Sequence, residues 1–328
     1  MYSMTSHPVF HWILPGLIIL AGIGCYCNSL EGPFVSDDEW TIRDNPSIRQ
    51  LWPVTAVLAP QPLGKGSPEE LSFVRRPFLN LTMAINYAMS GGNVKAYHLT
   101  NLGLHLLTAL ILFALIRQTL LHYPPAAAWK TMAEGLAFIT ALLWVVHPLT
   151  TSAVNYLTQR AEIMATCFYL LTLYSVSRSA TSSRPGLWQT VAIMVCLLGM
   201  GSKETMLSAP VIACLYDRIF LSGSWRATFR QRGLMYAVMA LTWLWPISRL
   251  LVFSADVTLT LPGITRWHYL LTQCGGLVQM LKLCFWPHPL VFYYGTELIT
   301  EPGQIWLQVI LLSVMAVGTV LILPRRPW

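Results

Sequence analysis

Residues 97–117 read YHLTNLGLHLLTALILFALIR, a run whose only formal charge is the arginine at its end. Wound as a helix at 1.5 Å per residue, it is long enough to cross a hydrocarbon core about 30 Å thick. Runs of the same kind recur at about 10–29, 132–147, 162–178, 187–202, 205–221, 234–252, 267–286 and 304–323. Backbone amides in lipid must find partners within their own segment, so each run is expected to be a helix. The period-2 alternation of a membrane barrel is missing. The expected fold is therefore an all-α polytopic membrane protein, a helical bundle with about eight or nine transmembrane helices and a long first outer loop.

Composition agrees. Of 328 residues, 55% are hydrophobic and only 11% charged, where a soluble chain carries about a quarter charged residues; the mean hydropathy is +0.53. The net charge of +7 does not point to nucleic acid, because the basic residues are scattered through loops with no patch of stacking aromatics. The seven cysteines lie almost wholly in apolar runs, where a thiol acts as a small hydrophobe. Cys25-Tyr26-Cys27 has neither a redox nor a zinc spacing. The run at 10–29 lacks a basic flank and exceeds the 7–15 apolar residues of a signal peptide, so it reads as a retained first span.

Four regions follow: a first transmembrane helix within 1–29, a periplasmic or luminal loop with interfacial helices at 30–96, a transmembrane bundle at 97–253, and a C-terminal loop with the last one or two transmembrane segments at 254–328. The 30–96 segment contains Asp37-Asp38-Glu39, Asn45-Pro46, a Pro/Gly-rich stretch from Ala59 to Pro68 and Arg75-Arg76-Pro77. Loops this long are usually functional or disordered; Phe78–Met89 is apolar enough for an interfacial helix. Orientation is read from short loops. Arg117 and Lys130, then Arg178 and Arg184, then Arg218, Arg226, Arg230 and Arg232 load one side, whereas Arg160 is balanced by Glu162 and Lys203 by Glu204 on the other. The N-terminus is thus expected in the cytoplasm and residues 30–96 in the periplasm or lumen. Nine spans would put Arg325 and Arg326 outside, against the same rule, so either 267–286 is interfacial or re-entrant or later spans follow.

Ionisable groups near membrane depth default to a functional reading. Asp37, Asp38, Glu39, Arg75, Arg76, His147, Arg160, Glu162, Lys203 and Glu204 all fall in the outer loops or adjoining helix ends, and His98, Asn101 and His105 form a stripe at i, i+3, i+7. Such a collection suggests a polar cavity at one mouth of the bundle; the plainer alternative is salt bridges that tie loops to helix ends. Asp37 and Asp38, just past the first span, could act as a general base or hold a divalent metal such as Mg or Mn. Arg75 and Arg76 suit bidentate phosphate recognition, with Arg160 and Lys203 adding charge, although lipid headgroup phosphates would satisfy the same arginines. No P-loop, Gly-x-Gly-x-x-Gly after a strand, Cys/His zinc spacing or Gly-x-Ser-x-Gly occurs.

Short motifs then accumulate in order. They are Phe34-Val35-Ser36-Asp37-Asp38, Asn45-Pro46-Ser47-Ile48, Arg76-Pro77-Phe78 with Asn86-Tyr87, Tyr97-His98-Leu99-Thr100-Asn101 with Leu104-His105, Val146-His147-Pro148, Gln159-Arg160-Ala161-Glu162, Ser202-Lys203-Glu204, Tyr216-Asp217 and Leu283-Cys284-Phe285-Trp286-Pro287-His288-Pro289-Leu290. Together, over about 250 residues, they resemble the membrane part of the transmembrane and tetratricopeptide-repeat O-mannosyltransferases, within the GT-C class of membrane glycosyltransferases. The resemblance implies a GT-C-like bundle, a polyprenyl-phosphate sugar lipid as donor, and transfer of a mannose-like hexose to a protein or glycan acceptor on the luminal or periplasmic side. By motif position it assigns the acidic base to Asp37 or Asp38. Arg75, Arg76, Arg160 and Lys203 would then stabilise the leaving phosphate; His98, Asn101, His105 and His147 could orient the donor or relay a proton, and Glu162 and Glu204 would pin Arg160 and Lys203. The 328 residues hold no tetratricopeptide repeats, and Val291-Phe292-Tyr293-Tyr294 stands where the family commonly has an acidic residue. Two other readings stay open: a noncatalytic GT-C-like subunit of a larger membrane complex, and a transporter, although no internal repeat supports the latter.

Overall fold

A computed structural model describes residues 10–60, 74–122, 127–248 and 265–322, apart from 293, 296, 297 and 300. It forms two compact units, Met1–Phe253 and Ser254–Trp328. Most of the Pro/Gly-rich stretch at 59–68, together with Tyr293, Arg325 and Arg326, lies outside the described residues.

Among the described residues every regular element is helical. The first unit runs α1 (Phe10–Tyr26), α2 (Val54–Leu58), α3 (Pro77–Ser90), α4 (Val94–His122), α5 (Ala127–Val145), α6 (Thr151–Asn155), α7 (Arg160–Thr181), α8 (Pro185–Met200), α9 (Ala209–Tyr216) and α10 (Trp225–Leu241). Pro77 and Pro185 open α3 and α8, where a missing N–H costs nothing. Ser224 caps α10 by accepting the Ala227 N–H at 3.2 Å. A 3₁₀ turn at Glu204–Ser208 and a π-helical turn at Asp217–Ser222 extend α9 on either side. Large apolar side chains such as Leu20, Leu107, Leu143 and Leu234 point outward and stay exposed, as expected of helices solvated by lipid rather than water.

By length and composition, Trp12–Ser29, Val94–His122 and Glu204–Ser222 can each cross a membrane; Lys130–Val145 with Pro148–Asn155, bent by 51°, makes a fourth if counted as one span. Pro185–Met200 and Trp306–Ile322 are apolar but shorter. This is fewer than the eight or nine spans expected from the sequence, and α7 shows one reason. No residue from Arg160 to Ser179 is exposed, so this central helix is surrounded by protein and can bury Thr172, Ser175, Ser177 and Ser179. That content lowers its hydropathy. In the same way, α10 starts at Trp225 among Arg226, Arg230 and Arg232, ahead of the apolar run at 234.

Polar contacts gather at the two ends of the bundle. At one end the C-termini of α1, α5 and α8 and the N-termini of α4 and α7 meet. Tyr26 and Thr150 share a hydroxyl hydrogen bond of 3.0 Å, His105 Nε2 lies 3.0 Å from the Val145 carbonyl, and the Phe78 N–H donates to Gly201 O at 3.2 Å. At the other end Gln118 bonds Thr181, Thr119 bonds Tyr216 and Arg117 pairs with Glu134.

Where described, the 30–96 segment is an ordered layer over the first of these ends. Ile42, Ile48, Val57, Leu79 and Met83 pack with Tyr97, Leu157 and Met164 in one apolar cluster. Asn45 donates to Thr41 O and Asn80 Oδ1, both at 3.0 Å, and Asn80 donates to Val57 O at 2.7 Å. Each buried amide therefore ties two turns that have no ladder of their own.

The second unit contains α11 (Arg266–Phe285) and α12 (Trp306–Ile322). Thr265 caps α11, and the Ile299 N–H donates to Thr272 Oγ1 at 3.1 Å.

Candidate active site

Adjacent carboxylates in the first outer loop meet opposite fates. At Ser36 the backbone takes φ +50°, a left-handed conformation uncommon outside glycine, and the chain turns Asp38 inward while Asp37 stays exposed. Asp38 is fully buried. Its Oδ1 accepts from the Thr158 N–H and hydroxyl, both at 2.7 Å, and its Oδ2 from the Val35 N–H at 3.2 Å. Burial pushes its pKa up, opposed by the hydrogen bonds from Thr158 and Val35. Asp38 therefore clamps the outer loop to the turn before α7. The Asp37 carboxylate accepts from Ser36 Oγ at 3.3 Å, and its backbone N–H donates to the Tyr156 hydroxyl at 3.0 Å. Of the two, only Asp37 can meet a substrate.

The cations separate too. Arg160 has no exposed surface. Its Nε donates to Asn101 Oδ1 at 2.6 Å, and its two terminal nitrogens donate to the carbonyls of Thr82 at 3.2 Å and Tyr97 at 3.3 Å. All three ends of the guanidinium are used in joining α3, α4 and α7. Arg75, Arg76 and Lys203 instead line one small open pocket with Glu204, Met200, Trp245 and Pro246. Its volume of about 80 Å³ exceeds that of two waters at ~30 Å³ each, room for a phosphate-sized group. Arg76 and Glu204 form an ion pair of 3.3 Å, and Lys203 pairs with Glu162 rather than leaving it to Arg160. The pocket depends on Gly201: a Cβ there would lie 2.4 Å from Phe78 Cδ2, so only glycine lets α3 start beside the end of α8, bringing Arg76 to Lys203.

The polar stripe on α4 faces inward as a staple. His98 Nε2 sits 3.1 Å from Gly32 O, Asn101 donates to the Val154 and Leu157 carbonyls at 3.3 and 3.4 Å, and His105 stacks on Trp144 at 4.7 Å. His147 Nδ1 accepts the Leu149 N–H at 3.2 Å, turning the chain into α6. These four residues position loops and do not line the pocket.

A divalent cation does not fit the acidic pair. Asp38 already accepts three hydrogen bonds, and no group of three or more His, Cys, Asp or Glu side chains placed to hold a metal exists among the described residues. Sequence reasoning missed Tyr156 and Thr158, the partners of Asp37 and Asp38, and also Met200, Trp245 and Pro246 of the pocket wall. For the first two a signal was available, since Tyr156-Leu157-Thr158 directly precedes the Gln159-Arg160-Ala161-Glu162 motif. Apolar wall residues carry no such mark.

By sequence, the chain is similar to several known proteins. The chain is 34% identical over 217 residues to human protein O-mannosyl-transferase TMTC1, covering 62% of this chain and 24% of that protein. It is 29% identical over 210 residues to human protein O-mannosyl-transferase TMTC3, covering 63% and 22%. With Drosophila melanogaster protein O-mannosyl-transferase Tmtc1 it is 26% identical over 318 residues, covering 88% and 36%. The chain thus spans about a quarter of the length of the first two. No family model and no solved structure matches it.

Proposed function

Because this chain is a relative of the protein O-mannosyl-transferases, we propose that it is a membrane glycosyltransferase moving a mannose-like hexose from a polyprenyl-phosphate sugar to an acceptor hydroxyl. The reaction takes place on the periplasmic or luminal side, at the end of the bundle covered by the 30–96 layer, with the N-terminus in the cytoplasm. The helices of the first unit that fall short of an unaided span, α7, α8 and α10, complete their crossings within the protein-packed bundle.

The chemistry is an inverting displacement. The acceptor oxygen bonds to the anomeric carbon as the bond from that carbon to the phosphate oxygen breaks; the acceptor proton passes to the Asp37 carboxylate and the electron pair leaves with the lipid phosphate. Arg75, Arg76 and Lys203 stabilise that charge, while Asp38, Arg160, Asn101 and His98 hold the loop that carries Asp37. One observation carries the reading: cations from the start of α3 and the end of α8 converge on a single pocket at that end of the bundle.

Photocrosslinking in nanodiscs with a diazirine polyprenyl-phosphate hexose tests the location. Mass spectrometry is expected to find the adduct on Met200, Trp245 or Pro246, and Arg76→Gln is expected to reduce it. Adducts at Arg178, Arg184 or Arg226, unaffected by Arg76→Gln, would sink the assignment.

A further inference from the structure

At the end of the bundle away from the 30–96 layer, two guanidiniums are short of acceptors. Arg178, in the last turn of α7, and Arg218, in the π-helical turn after α9, each keep a buried Nε with no hydrogen-bond partner among the described residues. A buried donor without an acceptor is costly and calls for a ligand. Arg178 lays its guanidinium over the Trp188 ring at 5.3 Å, a contact that occupies the face of the plane and leaves the N–H edge to a second partner. The described acids of this end are committed, Asp217 to Arg232 and Glu134 to Arg117.

The fold brings the elements that carry these arginines to one place. Gln118 and Thr119, consecutive near the end of α4, bond Thr181 at 2.7 Å and Tyr216 at 2.5 Å. Arg178 lies one turn before Thr181 and Arg218 two residues after Tyr216, and α7 packs directly against the π-helical turn. Because α4 is long enough to cross a membrane, its last turns reach headgroup depth. Trp225 and Phe229 open α10 just after that turn, stacked at 6.1 Å and about half exposed, as aromatics at a membrane interface are. Arg184, Arg226 and Arg230, all exposed, add positive charge at the same end.

We infer that Arg178 and Arg218 form a binding site for the phosphate of an anionic glycerophospholipid in the leaflet at this end. Guanidinium edges fork onto phosphate oxygens, so each buried Nε gains its acceptor. The surrounding arginines favour a headgroup with net negative charge and repel the ammonium of a zwitterionic one. Soluble phosphate is disfavoured because acyl chains hold a lipid headgroup at this depth, at an effective concentration a solute does not match. The site lies at the opposite end from the Arg76 pocket and does not depend on the reaction proposed there, so either reading can fail alone.

The test uses the full chain in phosphatidylcholine nanodiscs with a small fraction of a headgroup-diazirine probe, either phosphatidylglycerol or phosphatidylcholine. Mass spectrometry of the wild type is expected to find the phosphatidylglycerol adduct on Thr181, Tyr216 or Ser222, several-fold above the phosphatidylcholine adduct. Arg178→Gln and Arg218→Gln are each expected to lower it about five-fold, the scale of one basic residue at an anionic headgroup. Removing the same charge from the exposed start of α10, in Arg226→Gln with Arg230→Gln, is expected to lower it less than about two-fold, because a headgroup out of contact feels those charges only through screening. Arg76→Gln leaves the adduct unchanged. Equal labelling of the wild type by the two probes overturns the inference, and that comparison needs no variant to fold. An equal loss in the Arg226/Arg230 variant would replace the site by diffuse surface charge. Loss of the adduct on adding inorganic phosphate would make it a soluble-anion site, and loss in Arg76→Gln would deny that the two ends are separate.

Discussion

On the proposed reading, replacing Asp37 with Asn is expected to lower hexose transfer by about 10²- to 10⁴-fold, the usual contribution of a positioned general base, in a chain that remains folded. The asymmetry with Asp38 makes this prediction sharp. Asp37 is exposed, and its position is fixed by its backbone N–H to Tyr156 and by Ser36, contacts an isosteric amide retains. Asp38 is buried with three donors aimed at its carboxylate. In Asp38→Asn an amide NH₂ must face at least one of those N–H groups, and hydrogen bonds to a charged group are worth about 1.5–3 kcal/mol each. Asp38→Asn therefore loosens the outer layer as well as slowing transfer, and limited proteolysis of residues 30–60 reports it. Loss of kcat in Asp37→Asn with wild-type proteolysis, beside loss of both in Asp38→Asn, is the expected pattern. Full activity in Asp37→Asn would remove it as the base.

The largest effect on stability is expected at the other end of the bundle. Asp217 is fully buried and takes a forked pair of hydrogen bonds from Arg232 at 2.6 and 2.7 Å, with further donors from Tyr236 at 2.8 Å and Ser222 at 2.7 Å. Building such a pair brings little net stability, because desolvation consumes the Coulomb gain, but removing one partner strands the other charge. Asp217→Ala should cost about 3–5 kcal/mol, read as a lower midpoint in denaturant-titrated unfolding of the detergent-solubilised chain. The Arg43–Glu39 pair is the control: it has two similar contacts, at 2.9 and 3.2 Å, but both side chains are in solvent. Water screens that pair, so Glu39→Ala leaves the midpoint in place. Equal shifts for the two variants would show that the Asp217 network is not buried as described.

The contrast between those pairs also shows what sequence can and cannot convey. Apolar runs were readable because lipid imposes length and hydropathy on a helix, and most of the described helices overlap the expected runs; α10 is offset, starting at Trp225, nine residues ahead of the run at 234–252. The polar content of α7 hid how deeply it is enclosed, since burial by protein and burial by lipid leave different marks. Arg232 read as a loop charge setting topology, yet it and Asp217 cancel inside the bundle; opposite charges fifteen residues apart do not announce a pairing. The stripe His98-Asn101-His105 was legible as one face of a helix, but a face does not name its partners, and these proved to be loop carbonyls and Arg160. Arg75, Arg76 and Lys203 were grouped by charge and by side of the membrane; their convergence needed Gly201. Asp37 and Asp38 could not be separated, because the choice rests on one turn at Ser36.

The central claim is that this chain itself turns over a polyprenyl-phosphate hexose, and the direct measurement is release of polyprenyl phosphate from radiolabelled donors by the purified chain in nanodiscs. Several hexoses are offered, with hydroxyl-bearing peptides as acceptors. The account predicts that label moves to a peptide hydroxyl with inverted anomeric configuration, one polyprenyl phosphate appearing per sugar transferred. A folded chain that releases no polyprenyl phosphate from any of these donors would contradict it and leave the noncatalytic-subunit reading.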